Sequence, residues 1–411
     1  MTRTLHNWDS QPLSNLVDAI RQQSRIEKET LYELWSIPSF TDGKPELIEG
    51  KSIGSSKLRV EPNDILLSKI NPRINRVWIV EDSHLEQLAS PEWLVARIKD
   101  PNQLDKKFLC YYLSSPEFRD WISQAASSVT GSHSRAKANE ILQRNIPLPP
   151  LPEQQKIVEL LEDHLSRLDA ALADVKQAKL KAAKFRRSLL QTAFTGNLTG
   201  DGIRLMTEWK TQSLKDWEMQ AQSGFASGVH NADGRGVTHL RPMNISRLGK
   251  LDLEIVKSVE DDSTRRIMKG DILFNNTNSS ELVGKTTIIE IEGDFAFSNH
   301  MTRLRFPVEK VNHKYMAMLL HSFWMSGFFN QICSNHVNQA SVAIKRLEQI
   351  EVALPPLPEQ QKIVEILEDH LSRLDFSVAI ADAMEEQSSS LRRSLLQAAF
   401  TGQLTKEVAS V

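Results

Sequence analysis

The chain has almost no cysteine. Its 411 residues include two, Cys110 and Cys333, which sit at non-equivalent places and have no CxxC neighbour. Neither a disulfide framework nor a zinc site is therefore suggested, and both are expected to be core thiols. No apolar run approaches the roughly 18 residues of a membrane span, and the N-terminus lacks an apolar core flanked by basic residues. A soluble, intracellular protein with no membrane partner is expected. A charge surplus is missing too, with 50 Lys and Arg against 52 Asp and Glu. The balance holds regionally, at 19 basic and 19 acidic residues in 1–145 and 17 of each in 206–351. A protein that grips phosphate unaided usually shows a basic excess, so any DNA affinity must come from a local patch or be shared with a basic partner.

Signals of catalysis are equally scarce. Gly284-Lys285-Thr286 resembles the end of a phosphate loop, but Ser279 stands where its first glycine belongs. No GxGxxG occurs. The Pro-Pro pairs, Pro149-Pro150 and Pro355-Pro356, are flanked by leucine, unlike the Asn/Asp-Pro-Pro-aromatic tetrapeptide of an adenine methyltransferase. His164 and His370 are equivalent to one another; a metal or acid-base role would need a second ligand or a cleft, and a polar position beside the seam or a contact to a partner is expected instead. No catalytic residue and no metal ligand is assigned.

What the chain does contain is a duplication. LPPLPEQQKIVELLEDHLSRLD (Leu148 to Asp169) returns as LPPLPEQQKIVEILEDHLSRLD (Leu354 to Asp375), and RRSLLQTAFTGNLT (Arg186 to Thr199) as RRSLLQAAFTGQLT (Arg392 to Thr405). At this offset of 206 residues, 34 of the 52 positions from 148 to 199 are identical. A period that long excludes a solenoid and fits a two-fold pseudo-symmetric molecule. Pro152 and Pro358 suit a helix start, with Glu153 and Glu359 at the positive end of the dipole. Gly196 and Gly402 suit left-handed C-caps. The 43 residues between these signals (153–195 and 359–401) predict two helices of roughly 65 Å each. Ile157, Leu161, Leu165, Leu168, Leu172 and Val175 recur at steps of three and four, as do Ile363, Leu367, Leu371, Leu374, Val378 and Ala381. The pattern is a coiled-coil seam that needs a partner helix, and the other copy is the nearest candidate. Two bundle helices would give a similar pattern, but near-identity points to one surface selected twice, as when two identical partner subunits dock. The pairs Arg186-Arg187 and Arg392-Arg393 could hold phosphate or a partner's carboxylates, or lie on a solvated face.

Residues 1–145 and 206–351 differ far more. Trp8, Gln11 and Leu13 answer Trp209, Gln212 and Leu214. PNDILLSKINPRIN (Pro62 to Asn75) answers KGDILFNNTNSSEL (Lys269 to Leu282), and FLCYYLSS (Phe108 to Ser115) answers YMAMLLHS (Tyr315 to Ser322). The shared Asp-Ile-Leu reads as a turn into a buried strand, and the apolar stretch as a helix on a sheet. One mixed α/β domain is therefore expected twice, with different surface chemistry. The tract after each Asp-Ile-Leu holds Lys69, Asn71, Arg73 and Asn75 in the first half. In the second it holds Asn275, Asn276, Thr277, Asn278, Ser279 and, later, Lys285. Before each repeated helix lie Ser132, His133, Ser134 and Arg135, and Asn338, Gln339 and Ser341. Asn can pair with adenine, Arg or Lys with guanine, and Ser or Thr with either. The same residues are also common in solvated loops.

The duplicated PPLPEQQKIVE helix, the Asp-Ile-Leu strand and the alternation of variable with repeated regions resemble, over the whole chain, the specificity subunits of type I restriction-modification systems. The resemblance implies a mixed α/β fold in which two pseudo-symmetric target-recognition domains are separated by two long antiparallel coiled-coil helices. By that likeness residues 1–145 are the first recognition domain, 146–205 a central repeated helical spacer, 206–351 the second recognition domain and 352–411 the distal spacer. Each domain would read half of a bipartite double-stranded DNA site, in a prokaryotic cytoplasm. Implied partners are two methyltransferase subunits using S-adenosylmethionine and motor-nuclease subunits using ATP. The chain itself would bind no cofactor and catalyse nothing. Two departures stand out: Asn63 replaces the glycine before Asp-Ile-Leu in the first half, and that half has no counterpart to the Gly-rich stretch Gly224 to Gly236. Rival readings are a coiled-coil scaffold carrying two protein-binding domains, and an enzyme with an unfamiliar site.

Overall fold

The computed structural model describes residues 8–126, 134–199, 209–227, 229–260, 265–335, 337 and 339–408. Ser132, His133 and Asn338 lie outside the described residues. The chain divides into two compact units, residues 1–175 with 382–411, and residues 176–381.

The first unit runs through β1 (Asp9–Pro12), β2 (Val17–Ile20), β3 (Leu31–Trp35), β4 (Glu46–Glu49), β5 (Leu58–Arg59), β6 (Ile65–Ser68), β7 (Val77–Ile79), β8 (Glu86–Ala89) and β9 (Trp93–Ile98). Helices α1 (Lys106–Ser114), α2 (Pro116–Ala125) and α3 (Ala138–Leu142) follow, then β10 (Asn145–Leu148) and the long α4 (Leu151–Phe194), of which residues up to 175 belong to this unit. One sheet has the order β2-β9-β6-β7 and another β4-β3-β8-β5, while β1 pairs with β10. Strand periodicity assigns the layers. Ile65, Leu67, Leu94 and Ala96 share a core with Phe108, Leu109 and Phe118 of the helices. Their alternates Leu66, Trp93 and Val95 meet Trp35 and Ala89 of the second sheet. The first sheet is thus a middle layer with both faces covered, and β6 is buried at every position.

The second unit repeats the plan. It contains β11 (Lys210–Ser213), β12 (Gln220–Ser223), β13 (Val237–Leu240), β14 (Ser258–Val259), β15 (Ile272–Asn275), β16 (Thr277–Asn278), β17 (Thr286–Ile288), β18 (Phe295–Phe297) and β19 (Met301–Arg305). Then come α5 (His313–Met325), α6 (Phe328–Ile332), β20 (Ser334–Asn335), β21 (Ala340–Ser341), α7 (Ile344–Glu348), β22 (Glu351–Leu354) and the long α8 (Leu357–Phe400), of which residues up to 381 belong to this unit. The middle sheet has the order β12-β19-β15-β17, and β11 pairs with β22. Ile272, Phe274 and Leu304 face the helices, whereas Leu273 and Met301 face a core with Leu240, Phe295 and Phe297.

Both Asp-Ile-Leu motifs fold identically, and the aspartate explains why. Asp64 Oδ2 accepts the Glu61 N–H (2.9 Å) and Asp271 Oδ2 the Met268 N–H (2.8 Å), closing the turn. Each carboxylate also takes a two-pronged pair from the neighbouring strand, Arg97 on Asp64 and Arg305 on Asp271. Hydrogen bonding to the carboxylate raises both guanidinium pKa values. The missing glycine is no departure in shape. Asn63 has φ 74° and Gly270 φ 89°, and asparagine is one of the few side chains that tolerates this left-handed backbone.

The long helices match their sequence signals, with Gly196 (φ 76°) and Gly402 (φ 73°) left-handed after their ends. In the first unit Ile157, Leu161 and Leu165 of α4 share a core with Ala399 and Phe400 of α8, and Arg392 pairs with Asp169. In the second unit Leu189, Leu190 and Ala193 share a core with Ile363 and Leu367, and Arg186 pairs with Asp375. Within each unit the start of one helix lies beside the end of the other, so the pair is antiparallel. Arg186 and Arg392 are therefore occupied by carboxylates of this same chain, not by phosphate or a partner. The cysteines also differ from expectation: both are half-buried at the margins of the cores. Burial pushes the Cys110 thiol up to about 12. Among the described residues no helix is long and apolar enough to cross a membrane.

Candidate nucleic-acid interface

The tracts singled out by sequence are brought together in pairs. In the first unit the backbone after β6 runs beside the segment entering α3. Asn71 N–H donates to Ser134 O (3.0 Å), Ala136 N–H donates to Lys69 O (2.8 Å), and Ile70 bridges to Arg135. In the second unit β16 pairs antiparallel with β21, Thr277 opposite Ser341 and Asn278 opposite Ala340. There Val342 N–H donates to Asn276 O (2.9 Å), the counterpart of the Ala136 bond. Between 62 and 67 residues of sequence separate the members of each pair, yet they form one surface at the same position of both units.

Their side chains divide into two groups. Several candidates are consumed by the fold. Asn275 is fully buried with Nδ2 on Leu282 O (2.9 Å), and Asn276 donates to Thr302 Oγ1 (2.7 Å). Lys285 is buried with its ammonium on the carbonyls of Pro242 and Ile245, and burial lowers its pKa. Asn75, left-handed at φ 46°, donates Nδ2 to Leu113 O (2.8 Å) and fastens the tract to α1. Ser134 is buried. The expectation that these five side chains face a base is corrected on that geometry: the three asparagine amides and the Lys285 ammonium are spent on protein groups, and Ser134 is buried.

Others remain at or near the surface. Arg73, Arg135, Ser279 and Gln339 are exposed, and Lys69, Asn71, Thr277, Asn278 and Ser341 are half-buried. Arg135 makes a two-pronged pair with Glu92 (2.6 Å to each oxygen), and Lys69 donates to Pro91 O (2.8 Å). Burial lowers the Lys69 pKa; Glu92 acts against that, while Arg135 and Arg21 add to it. The overall neutral charge thus conceals a local cluster of Lys69, Arg135 and Arg21. Asn71 Oδ1, Asn75 Oδ1 and Ser134 Oγ in the first unit, and Asn275 Oδ1 in the second, are buried without a hydrogen-bond partner from the protein.

Sequence reasoning missed two contributors. Glu92, on the turn before β9, carries no motif, and only tertiary pairing sets it against Arg135. In the second unit the Gly-rich stretch is stitched beside the tract through the 297–300 turn. Phe225 N–H donates to Phe297 O (3.0 Å), Asn299 N–H to Phe225 O (3.0 Å), and Asn276 N–H to His300 O (3.0 Å). Gly224 is required there, since a Cβ would stand 2.1 Å from Phe297 O. Beneath lie Phe225, His230 and buried His239, with His230 Nε2 3.2 Å from His239 Nδ1. Burial lowers both pKa values, and Arg241 and Lys257 add to the effect on His230.

The repeated helix starts have an equally specific task. Gln154 is fully buried: Asp105 N–H donates to its Oε1 (2.9 Å), and its Nε2 donates to Gln103 O (2.9 Å) and Pro149 O (2.8 Å). Gln360 does the same with Asn312 N–H, Lys310 O and Pro355 O. Phe400 meets Phe108 and Tyr112 edge-on (5.4 and 5.3 Å), as Phe194 meets Tyr315 (5.2 Å). One part of the duplicated sequence therefore bolts each domain to its helices. Gln155, Lys156, Glu159, Asp163, His164 and Arg167 are exposed, as are their identical counterparts in α8.

Comparison with known proteins identifies the family and the fold. The family model for the type I restriction modification DNA specificity domain matches residues 7–181 and 243–385. The type I restriction enzyme StySPI specificity subunit of Salmonella potsdam is 22% identical over 371 residues, covering 87% of this chain and 78% of the relative. A solved structure described as the basis of complex assembly and conformational transition of the type I R-M system aligns with a TM-score of 0.80 at 18% identity, over 98% of this chain and 100% of that one. The HsdS subunit from Thermoanaerobacter tengcongensis aligns with a TM-score of 0.60 at 18% identity, over 98% of each chain. The chain belongs to the type I restriction-modification DNA specificity family.

Proposed function

From that membership we propose how this chain carries out DNA sequence specificity: the paired tracts of each unit form one reading surface, and the two surfaces each read one half of a bipartite double-stranded site. The observation that supports this best is the equivalence of the surfaces. The same backbone bonds, Ala136 to Lys69 and Val342 to Asn276, set different side chains on a common scaffold. Fixed geometry with variable chemistry is what a family of readers requires. Lys69 and Arg73 supply phosphate or guanine contacts in the first unit, beside Arg135, whose guanidinium is paired with Glu92. Thr277, Asn278, Ser279, Gln339 and Ser341 supply base-edge contacts in the second.

The partners follow from the duplicated exposed face. Identical residues at two places suit two identical modification subunits, which would bring S-adenosylmethionine, while motor-nuclease subunits would use ATP. This chain then directs adenine methylation and cleavage, contributing no catalytic group, in the cytoplasm of a prokaryote. The test is single-molecule sequencing of methylated adenines in cells expressing the chain with its methyltransferase subunit, before and after its deletion. A bipartite motif that disappears on deletion is the expected result. Persistence of every motif, despite a stable complex, would sink the reading.

A further inference from the structure

We infer that the β20–β21 ribbon of the second unit reads A·T pairs, with Val337 placed against the methyl group of a thymine. The inference rests on the DNA-reading role proposed above and names one residue and the chemistry it meets.

β20 and β21 are antiparallel, Ser334 opposite Ser341 and Asn335 opposite Ala340. The other edge of β21 pairs with β16. The root of the ribbon is anchored, because Ala340 (1% exposed) and Val342 (3%) are buried in the domain core. Between the two strands Val337 is 100% exposed. A two-stranded ribbon is one of the elements that the major groove of B-DNA admits. A branched apolar side chain at its end gains only if an apolar group covers it, and in that groove the thymine 5-methyl is the apolar feature among polar base edges.

Charge points the same way. Neither residues 276–284 nor 333–343 contain Arg or Lys, so the ribbon and its neighbouring strand lack the cation that reads guanine. Gln339 and Asn278 have the amide that pairs with adenine, and the methyl of Thr277 suits thymine. The equivalent surface of the first unit has Lys69, Arg73 and Arg135 instead.

The test uses the full chain assembled with its methyltransferase subunits and a duplex carrying the motif found by methylation sequencing. Thymines of the second half-site are replaced one at a time by deoxyuridine, which lacks only the methyl group. Wild type should lose about four-fold in affinity at one position, the scale of one buried methyl. Val337→Ala should bind the thymine duplex more weakly by a similar factor and be indifferent to deoxyuridine there; Val337→Thr, which keeps a methyl, should retain the penalty. Being wholly exposed, Val337 can be replaced without disturbing the fold. Tolerance of every deoxyuridine by wild type, or an unchanged penalty in Val337→Ala, overturns the assignment. Failure to prefer the motif duplex over a scrambled one would overturn the DNA-reading role itself, a separate and recognisable outcome.

Discussion

Lys69 in the first unit and Asn276 in the second accept the equivalent backbone bond, from Ala136 and Val342, yet one surface is rich in cations and the other is neutral and polar. Arg135 stands where Ser341 stands. The scaffold beneath them is the same: a middle sheet of one strand order, an aspartate closing the turn into the buried strand, and a glutamine at each helix start. The contrast teaches where a duplicated fold is free to vary. The aspartate of the turn and the glutamine of the helix start are kept in both units, whereas the side chains that project from the paired tracts are replaced.

The strongest way to break the comparison is to exchange residues 206–351 for the corresponding domain of another family member. Methylation sequencing should show the second half-site replaced and the first unchanged; alteration of both would deny that the units read independently.

Next in size is the glutamine clamp. Gln154→Ala and Gln360→Ala each remove three hydrogen bonds and strand buried backbone groups, so each should cost about 2–4 kcal/mol. Denaturant unfolding of the two variants should give equal losses if the units are truly equivalent. An unequal pair would show that one domain relies on its helices less.

The reading surfaces come third. Arg73→Ala should weaken binding or relax one base position by about 1–3 kcal/mol, confined to the first half-site. Ser341→Ala, lacking a charge, should do less and only in the second. Measured affinities on single-base variants of the motif check both.

The smallest effect separates the units by pH. Burial holds His321 of α5 down at about 4, against an unfolded value near 6.5. The unfolded chain therefore binds the extra proton first, and stability falls as pH drops from about 6.5 toward 4. At pH 6 the loss should be under about 1 kcal/mol. The corresponding stretch of the first unit, Phe108 to Ser115, has no histidine. His321→Gln should flatten this part of the stability–pH curve of the whole chain.

The sequence by itself determined the duplication, both long helices with their glycine ends, the paired domains and the buried Asp-Ile-Leu strands. Each of these rests on local periodicity, capping residues or direct repetition, which a linear chain displays. It also located the two tracts of each half that meet at the surface, because loop-rich polar runs beside a buried strand are visible in one dimension. Only tertiary structure decided which side chains remain available. Asn275 and Lys285 have the composition of base readers, but carbonyls of Leu282, Pro242 and Ile245 take their donors. Glu92 reaches Arg135 across 43 residues, Gln154 reaches Asp105 across 49, and Arg392 finds Asp169 across 223. Pairings of that kind depend on which buried polar groups the packed cores leave in need of a partner, and no stretch of sequence carries that information alone.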